Sequence, residues 1–175
     1  ALFAAKLARR ELLVYERSAS LRPAIFVDKS GSMAGRLSDG VEKIAVAAGL
    51  ALALYRRFGG LVYLFDTEAE RVSPRDVVKT LLSIRADGGT SIDAVIQEIS
   101  RLGSSYVYVI VSDGITEASD ELLPRLARLA DRIRLILVPP ADDGYNWVEL
   151  LRRRGRVYKA EDVASFMTAA KAVLA

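Results

Sequence analysis

Apolar residues in this chain fall into short unbroken runs, separated by longer stretches in which they recur every three or four positions. The unbroken runs are "AIFVD" (24–28), "LVYLFD" (61–66), "SYVYVIVSD" (105–113) and "IRLILVPP" (133–140), with "RVYKA" (156–160) as a short last candidate. They are rich in Val, Ile, Leu and Tyr and lack polar alternation, which is the pattern of strands covered on both faces of a parallel sheet. "AERVS" (69–73) lies too close to the preceding run for a helical crossover, so it is expected as a short edge strand.

Helical spacing occupies the intervals. From Ser38 to Phe58, Val41, Ile44, Ala48, Ala51, Tyr55 and Phe58 stand three or four apart, and the opposite face is largely apolar, as in a central, well-covered helix. A second helix is predicted from about Pro74, a residue tolerated in a first turn, carrying Val77, Val78, Leu81 and Leu82. "SIDAVIQEISRL" repeats Ile92, Val95 or Ile96, Ile99 and Leu102, and further helices are predicted at 117–130, 146–154 and 161–174. Strand–helix alternation of this kind predicts an α/β fold, a doubly wound and mostly parallel sheet between two helical layers. Residues 22–175 form the predicted domain. Residues 1–21 are read as an N-terminal extension, either one helix or a helix followed by a strand at "LLVYE".

Composition narrows the chemistry. Of 175 residues, 51% are hydrophobic and 27% charged, as in one ordinary globular domain. The longest uncharged apolar run, Ile44 to Tyr55, is too short to span a bilayer, so no membrane segment is expected. The chain opens on Ala, which fits a fragment or a processed protein, and no signal segment is visible there. There is no cysteine and no histidine, which excludes disulfides, thiolate zinc sites, cysteine nucleophiles and histidine bases together. Any metal must then be a hard cation held by oxygen, Mg²⁺, Mn²⁺ or Ca²⁺. The net charge is only +3, and apart from "LRRRGR" (151–156) the basic residues are interleaved with acidic ones, so nucleic acid is not an expected partner.

Ligands of open parallel sheets bind outside the carboxyl ends of the strands. That rule gathers Asp28, Ser30 and Ser32 from "VDKSGSM", Thr90 from "ADGGTSID" and Asp113 from "SDG". All five offer oxygen, and two carboxylates with three hydroxyls suit a small divalent cation such as Mg²⁺. Gly31 is expected to let the loop turn so that both serines face inward, and Gly88 and Gly89 to let Thr90 approach. Met33 reads as a packing residue, because thioethers are soft ligands. Helices starting just beyond these loops are expected to aim positive N-termini at the site, with Lys29 close by. An ion held there stays electrophilic toward an added anion.

"DKSGS" reads as D-x-S-x-S, and with "GGT" and "SDG" downstream it resembles the metal-ion-dependent adhesion site of von Willebrand factor A domains. The likeness covers roughly residues 22–175, in the order and spacing of the family. It implies a six-stranded sheet with one short antiparallel edge strand. It also implies Ser30, Ser32 and Thr90 as hydroxyl ligands, Asp28 and Asp113 acting directly or through water, and a last coordination position filled by a Glu or Asp of a partner protein. Ser91 departs from the family, where an acidic or amide residue is frequent; Asp93, one helical step on, is a candidate for an outer role. Compact intracellular relatives often work with an AAA-type ATPase or in metal-centre maturation, which implies a cytoplasmic, monomeric interaction module with such a partner.

The same residues admit enzymatic and purely structural readings. A metal-dependent phosphohydrolase would also end a strand in Asp, but the haloacid-dehalogenase pattern needs a second Asp where Ser30 stands. A P-loop would need Gly-Lys-Ser/Thr, and a serine hydrolase needs an elbow and a base that are absent. The remaining alternative is a structural interaction domain with an unused metal site. Singly, each residue has a local explanation, Asp28 as a turn cap and Thr90 or Ser91 as a helix cap. Their joint occurrence in three loops is what these explain poorly.

Overall fold

A computed structural model describes residues 22–142 and 144–159. The expectations for the N-terminal extension and for a helix at 161–174 lie outside these residues. Six strands form one sheet in the order β3-β2-β1-β4-β5-β6, with β1 Arg22–Asp28, β2 Leu61–Phe65, β3 Ala69–Arg71, β4 Tyr106–Ser112, β5 Ile133–Leu137 and β6 Val157–Lys159. All neighbours pair in parallel except β2 and β3, which are antiparallel. The short edge strand predicted at "AERVS" is β3.

The unbroken apolar runs are explained by two cores, one on each face. Successive side chains of a strand point to opposite faces. Ile25, Val27, Val109 and Val111 therefore enter one cluster, with Ile44, Ala47, Ala51 and Leu54 of α1 (Lys43–Phe58) and Val77 and Leu81 of α2 (Val77–Ser83). Ala24, Phe26, Tyr108 and Ile110 enter the other. There they meet Ile92, Val95, Ile96 and Ile99 of α3 (Ile92–Leu102), Leu126 of α4 (Leu123–Leu129), and Trp147 and Leu151 of α5 (Asn146–Arg153). Phe26 and Tyr63, register partners across β1 and β2, stack with ring centroids 4.6 Å apart. Each large side chain buried in this way contributes about 1.5–3 kcal/mol.

α3 and α5 begin where their periodicity predicted, whereas α1, α2 and α4 start later. Residues 38–42 form a turn closed by the Gly40 amide on the Leu37 carbonyl, with Gly40 at φ 84°, and α1 begins at Lys43. Val41 lies outside the helix and is exposed. α4 starts at Leu123 rather than 117, because Pro124 lacks an amide hydrogen and fits only a first turn. In α2, Val77 and Leu81 are buried whereas Val78 and Leu82 face outward.

The chain turns from β1 to β2 on one side of the sheet and from β4 to β5 on the other. The carboxyl ends of β1 and β4 therefore bound the crevice where the winding reverses, the usual place for a ligand in such sheets.

Candidate functional site

Five polar or charged residues are buried among the described residues, and they form one cluster at this crevice: Asp28, Ser30, Lys43, Ser112 and Asp113. Asp28, the last residue of β1, is 0% exposed. Its Oδ1 accepts the Ser30 backbone amide at 2.9 Å and its Oδ2 accepts the Ser112 hydroxyl at 2.6 Å. The Ser30 and Ser32 hydroxyls lie 3.2 Å apart, so the alternate spacing of the motif does gather its oxygens. Met33 is fully buried in the core, as a packing residue should be.

Asp113 sits just beyond β4. Its Oδ2 accepts the Lys43 ammonium at 3.0 Å and its Oδ1 the Ile115 amide at 3.3 Å. Gly114 follows at φ 79°, and an added Cβ would lie 2.9 Å from the Asp142 carbonyl, so only glycine fits there.

Backbone contacts bring the third loop in. The Gly31 amide donates to the Gly88 carbonyl at 3.0 Å, and the Thr116 hydroxyl donates to the Thr90 carbonyl at 3.4 Å. The loop carrying Thr90 thus touches both others, although the Thr90 hydroxyl itself bonds to none of the other four predicted residues. Ser91, not Thr90, caps α3, its hydroxyl accepting the Ala94 amide at 3.4 Å. Gly31 has no left-handed backbone; its value is space, because a Cβ would stand 3.3 Å from the Gly88 carbonyl. Gly88 does use its freedom, at φ 83°.

Two charged residues near the site have partners of their own, and one expectation is corrected. Lys29 pairs with Asp66 beyond β2. Burial works to raise the Asp66 carboxyl, but hydrogen bonds from Lys29 and from neighbouring amides outweigh it and hold it below the ordinary range. Asp93 Oδ1 accepts the Ser119 amide at 2.9 Å, fastening the segment before α4. The loop after Ser32 makes one 3-10 turn (Gly31–Ala34), with α1 starting nine residues after it, so α3 alone begins directly beyond a site loop.

Burial dominates the electrostatics of the cluster. Burial, more than anything else, pushes the Asp28 carboxyl up to about 6; the hydrogen bonds from Ser112 and Ser30 pull it down, and the charge of Asp113 adds to the rise. All its hydrogen-bond partners are neutral. Two buried carboxylates with one ammonium leave a net negative charge in low dielectric, beside a pair of hydroxyls. A carboxylate has about four acceptor positions, so each Asp keeps room for a further partner. No group of three or more His, Cys, Asp or Glu suited to a metal occurs among the described residues. The oxygen donors gathered here, two carboxylates and a pair of hydroxyls, are of the type a hard cation takes.

No protein-family profile and no curated protein sequence matches the chain. Solved structures do match it. BatB from Bacteroides thetaiotaomicron superposes with a TM-score of 0.60 at 14% identity, covering 86% of this chain and 99% of that one. A von Willebrand factor type A structure from Catenulispora acidiphila gives 0.55 at 15% identity, over 87% of this chain and 41% of that one. The manganese-loaded TRAP protein of Plasmodium vivax gives 0.62 at 16% identity, over 90% and 74%. The architecture is a three-layer, Rossmann-like α/β/α fold of the von Willebrand factor A type.

Proposed function

We propose that this chain is a metal-dependent protein-interaction module of the von Willebrand factor A type, binding a divalent cation at Asp28, Ser30, Ser32, Thr90 and Asp113. The observation that carries this reading is the Asp28 carboxylate, fully buried beside the Ser30–Ser32 hydroxyl pair, with only neutral hydrogen-bond partners. Such an anion is costly to bury without a compensating cation. Ser30, Ser32 and Thr90 would hold the ion through their hydroxyls, with Asp28 and Asp113 bound to it or reaching it through water. Mg²⁺ or Mn²⁺ suits this donor set, and the manganese in the TRAP neighbour agrees with it at the level of fold. The ion supplies an electrophilic position that a Glu or Asp of a protein partner can occupy.

Titration of Mn²⁺ and Mg²⁺ into the purified chain tests this directly. Weak binding is expected, lost in Asp28→Ala and in the Ser30/Ser32 double alanine variant. Unchanged binding in both would remove the ligand assignment.

This reading makes the module a binder rather than a phosphohydrolase, because Ser30 stands where the haloacid-dehalogenase pattern needs a second Asp. Turnover of a generic phosphomonoester that disappears in Asp28→Asn would overturn that part. An AAA-type ATPase is the partner class the resemblance implies. A pull-down from the native source with and without EDTA tests the metal bridge; a partner retained equally in both would remove it.

A further inference from the structure

Lys43 opens α1, and only 3% of it is exposed. Its ammonium donates to Asp113 Oδ2 at 3.0 Å and to the Pro140 carbonyl at 2.5 Å. Its stem runs past Gly35, where an added Cβ would lie 3.2 Å from Lys43 Cε. The Lys43 amide in turn donates to the Gly35 carbonyl at 2.8 Å. The fold thus makes a channel for one lysine and delivers its charge to a carboxylate of the site. A salt bridge kept only for stability gains little from such burial, because desolvation offsets most of the attraction.

We infer that Lys43 sets the charge of the site so that a cation and an anionic ligand bind as a pair. This rests on the metal reading above. Asp28 and Asp113 carry two negative charges and Lys43 one positive charge, so a divalent ion leaves the buried cluster with one positive charge in excess. A carboxylate from outside cancels it. The ion alone is therefore held weakly, and each ligand strengthens the other by the same factor. Lys43 is a positioning and charge-setting residue; it need not touch the ion.

The test compares the whole chain with Lys43→Met, using Mn²⁺ as the probe and following free Mn²⁺ by electron paramagnetic resonance, in chloride and then in acetate. The wild-type chain should bind Mn²⁺ weakly in chloride and at least about tenfold more tightly in acetate. Lys43→Met should bind Mn²⁺ about tenfold more tightly than wild type in chloride and gain little from acetate. Lys43→Gln, which keeps a hydrogen-bonding end without the charge, should behave as Lys43→Met does and serves if the methionine variant does not fold. A purely structural Lys43 would lower the melting temperature in both variants and leave the acetate effect intact, which overturns the inference while the metal reading stands. Absence of Mn²⁺ binding in every chain and both salts overturns both.

Discussion

The Ser112 hydroxyl donates to Asp28 Oδ2 at 2.6 Å, joining the last residue of β4 to the last residue of β1. The two strands are hydrogen-bonded neighbours up to the Val27–Val111 pair, so this bond extends their ladder by one side-chain rung. It makes the winding reversal a fixed polar floor rather than an open gap. The Ser112 Oγ also accepts the Gly114 amide at 3.0 Å, which ties the Asp113 loop to the same point.

Removing that rung should be costly out of proportion to the atom lost. Ser112→Ala leaves Asp28 Oδ2 and the Gly114 amide short of a partner in a buried place, at a cost of about 1–3 kcal/mol. A fall in the urea midpoint, measured in EDTA, checks this. The variant should also drive the Asp28 carboxyl further up, because the Ser112 bond is the strongest influence lowering it.

Asp28 should make the metal-free chain lose stability relative to Asp28→Asn as pH rises through the acid range, against the opposite contributions of Asp66, Glu98 and Glu149. Asp28 goes from an ordinary 3.8 to about 6 on folding, so the folded state holds this proton more tightly than the unfolded one. Its contribution is full below about 4 and is lost as pH climbs through about 6, roughly 3 kcal/mol in all. Asp28→Asn should abolish that slope and melt higher than wild type in EDTA near neutral pH. A difference between wild type and Asp28→Asn that does not change with pH would contradict the burial of an unpaired carboxylate.

Gly31→Ala and Gly114→Ala should separate binding from stability. At Gly31 the added methyl meets the Gly88 carbonyl at 3.3 Å, at an exposed position. Mn²⁺ binding should drop severalfold, with stability changed by about 0.5–1 kcal/mol. At Gly114 the methyl would meet the Asp142 carbonyl at 2.9 Å in a left-handed backbone, so thermal melting should show a loss of roughly 2 kcal/mol or more.

Trp147 anchors the wall of the crevice. Its ring is fully buried and its Nε1 donates to the Thr116 carbonyl at 2.8 Å, while the Thr116 hydroxyl holds the Thr90 carbonyl. Trp147→Ala should cost about 3–5 kcal/mol in chemical denaturation. Trp147→Phe keeps most of the packing and loses the hydrogen bond, so it should lose less stability and still loosen the Thr90 loop. Equal losses in the two variants would show that the hydrogen bond, not the ring, does the anchoring.

Much of this molecule follows from local pattern. Unbroken apolar runs read as doubly covered strands because a strand in the middle layer has no polar face, and β1, β2, β4 and β5 lie where those runs predicted. The end of β1 at Asp28, the closeness of Ser30 to Ser32, the packing role of Met33 and the edge position of β3 were also legible. The starts of α3 and α5 were legible too, but those of α1, α2 and α4 were not, because periodicity continues into turns such as 38–42 that the chain closes by backbone hydrogen bonds.

The cation beside the site was the larger omission. Lys43 opens the apolar run "KIAVAAGLALALY" directly after Glu42, and nothing in that local pattern marks it as buried. Lys29 drew attention instead because it lies inside the motif. Sequence alone determined the strand segments, the exclusion of histidine and thiolate mechanisms, and the three oxygen-bearing loops. Only the tertiary structure decided which charges meet, for 70 positions separate Lys43 from Asp113 and 84 separate Asp28 from Ser112. Hydrogen bonds and ion pairs act over a few ångströms in space, and a parallel sheet brings together residues that the chain itself keeps far apart.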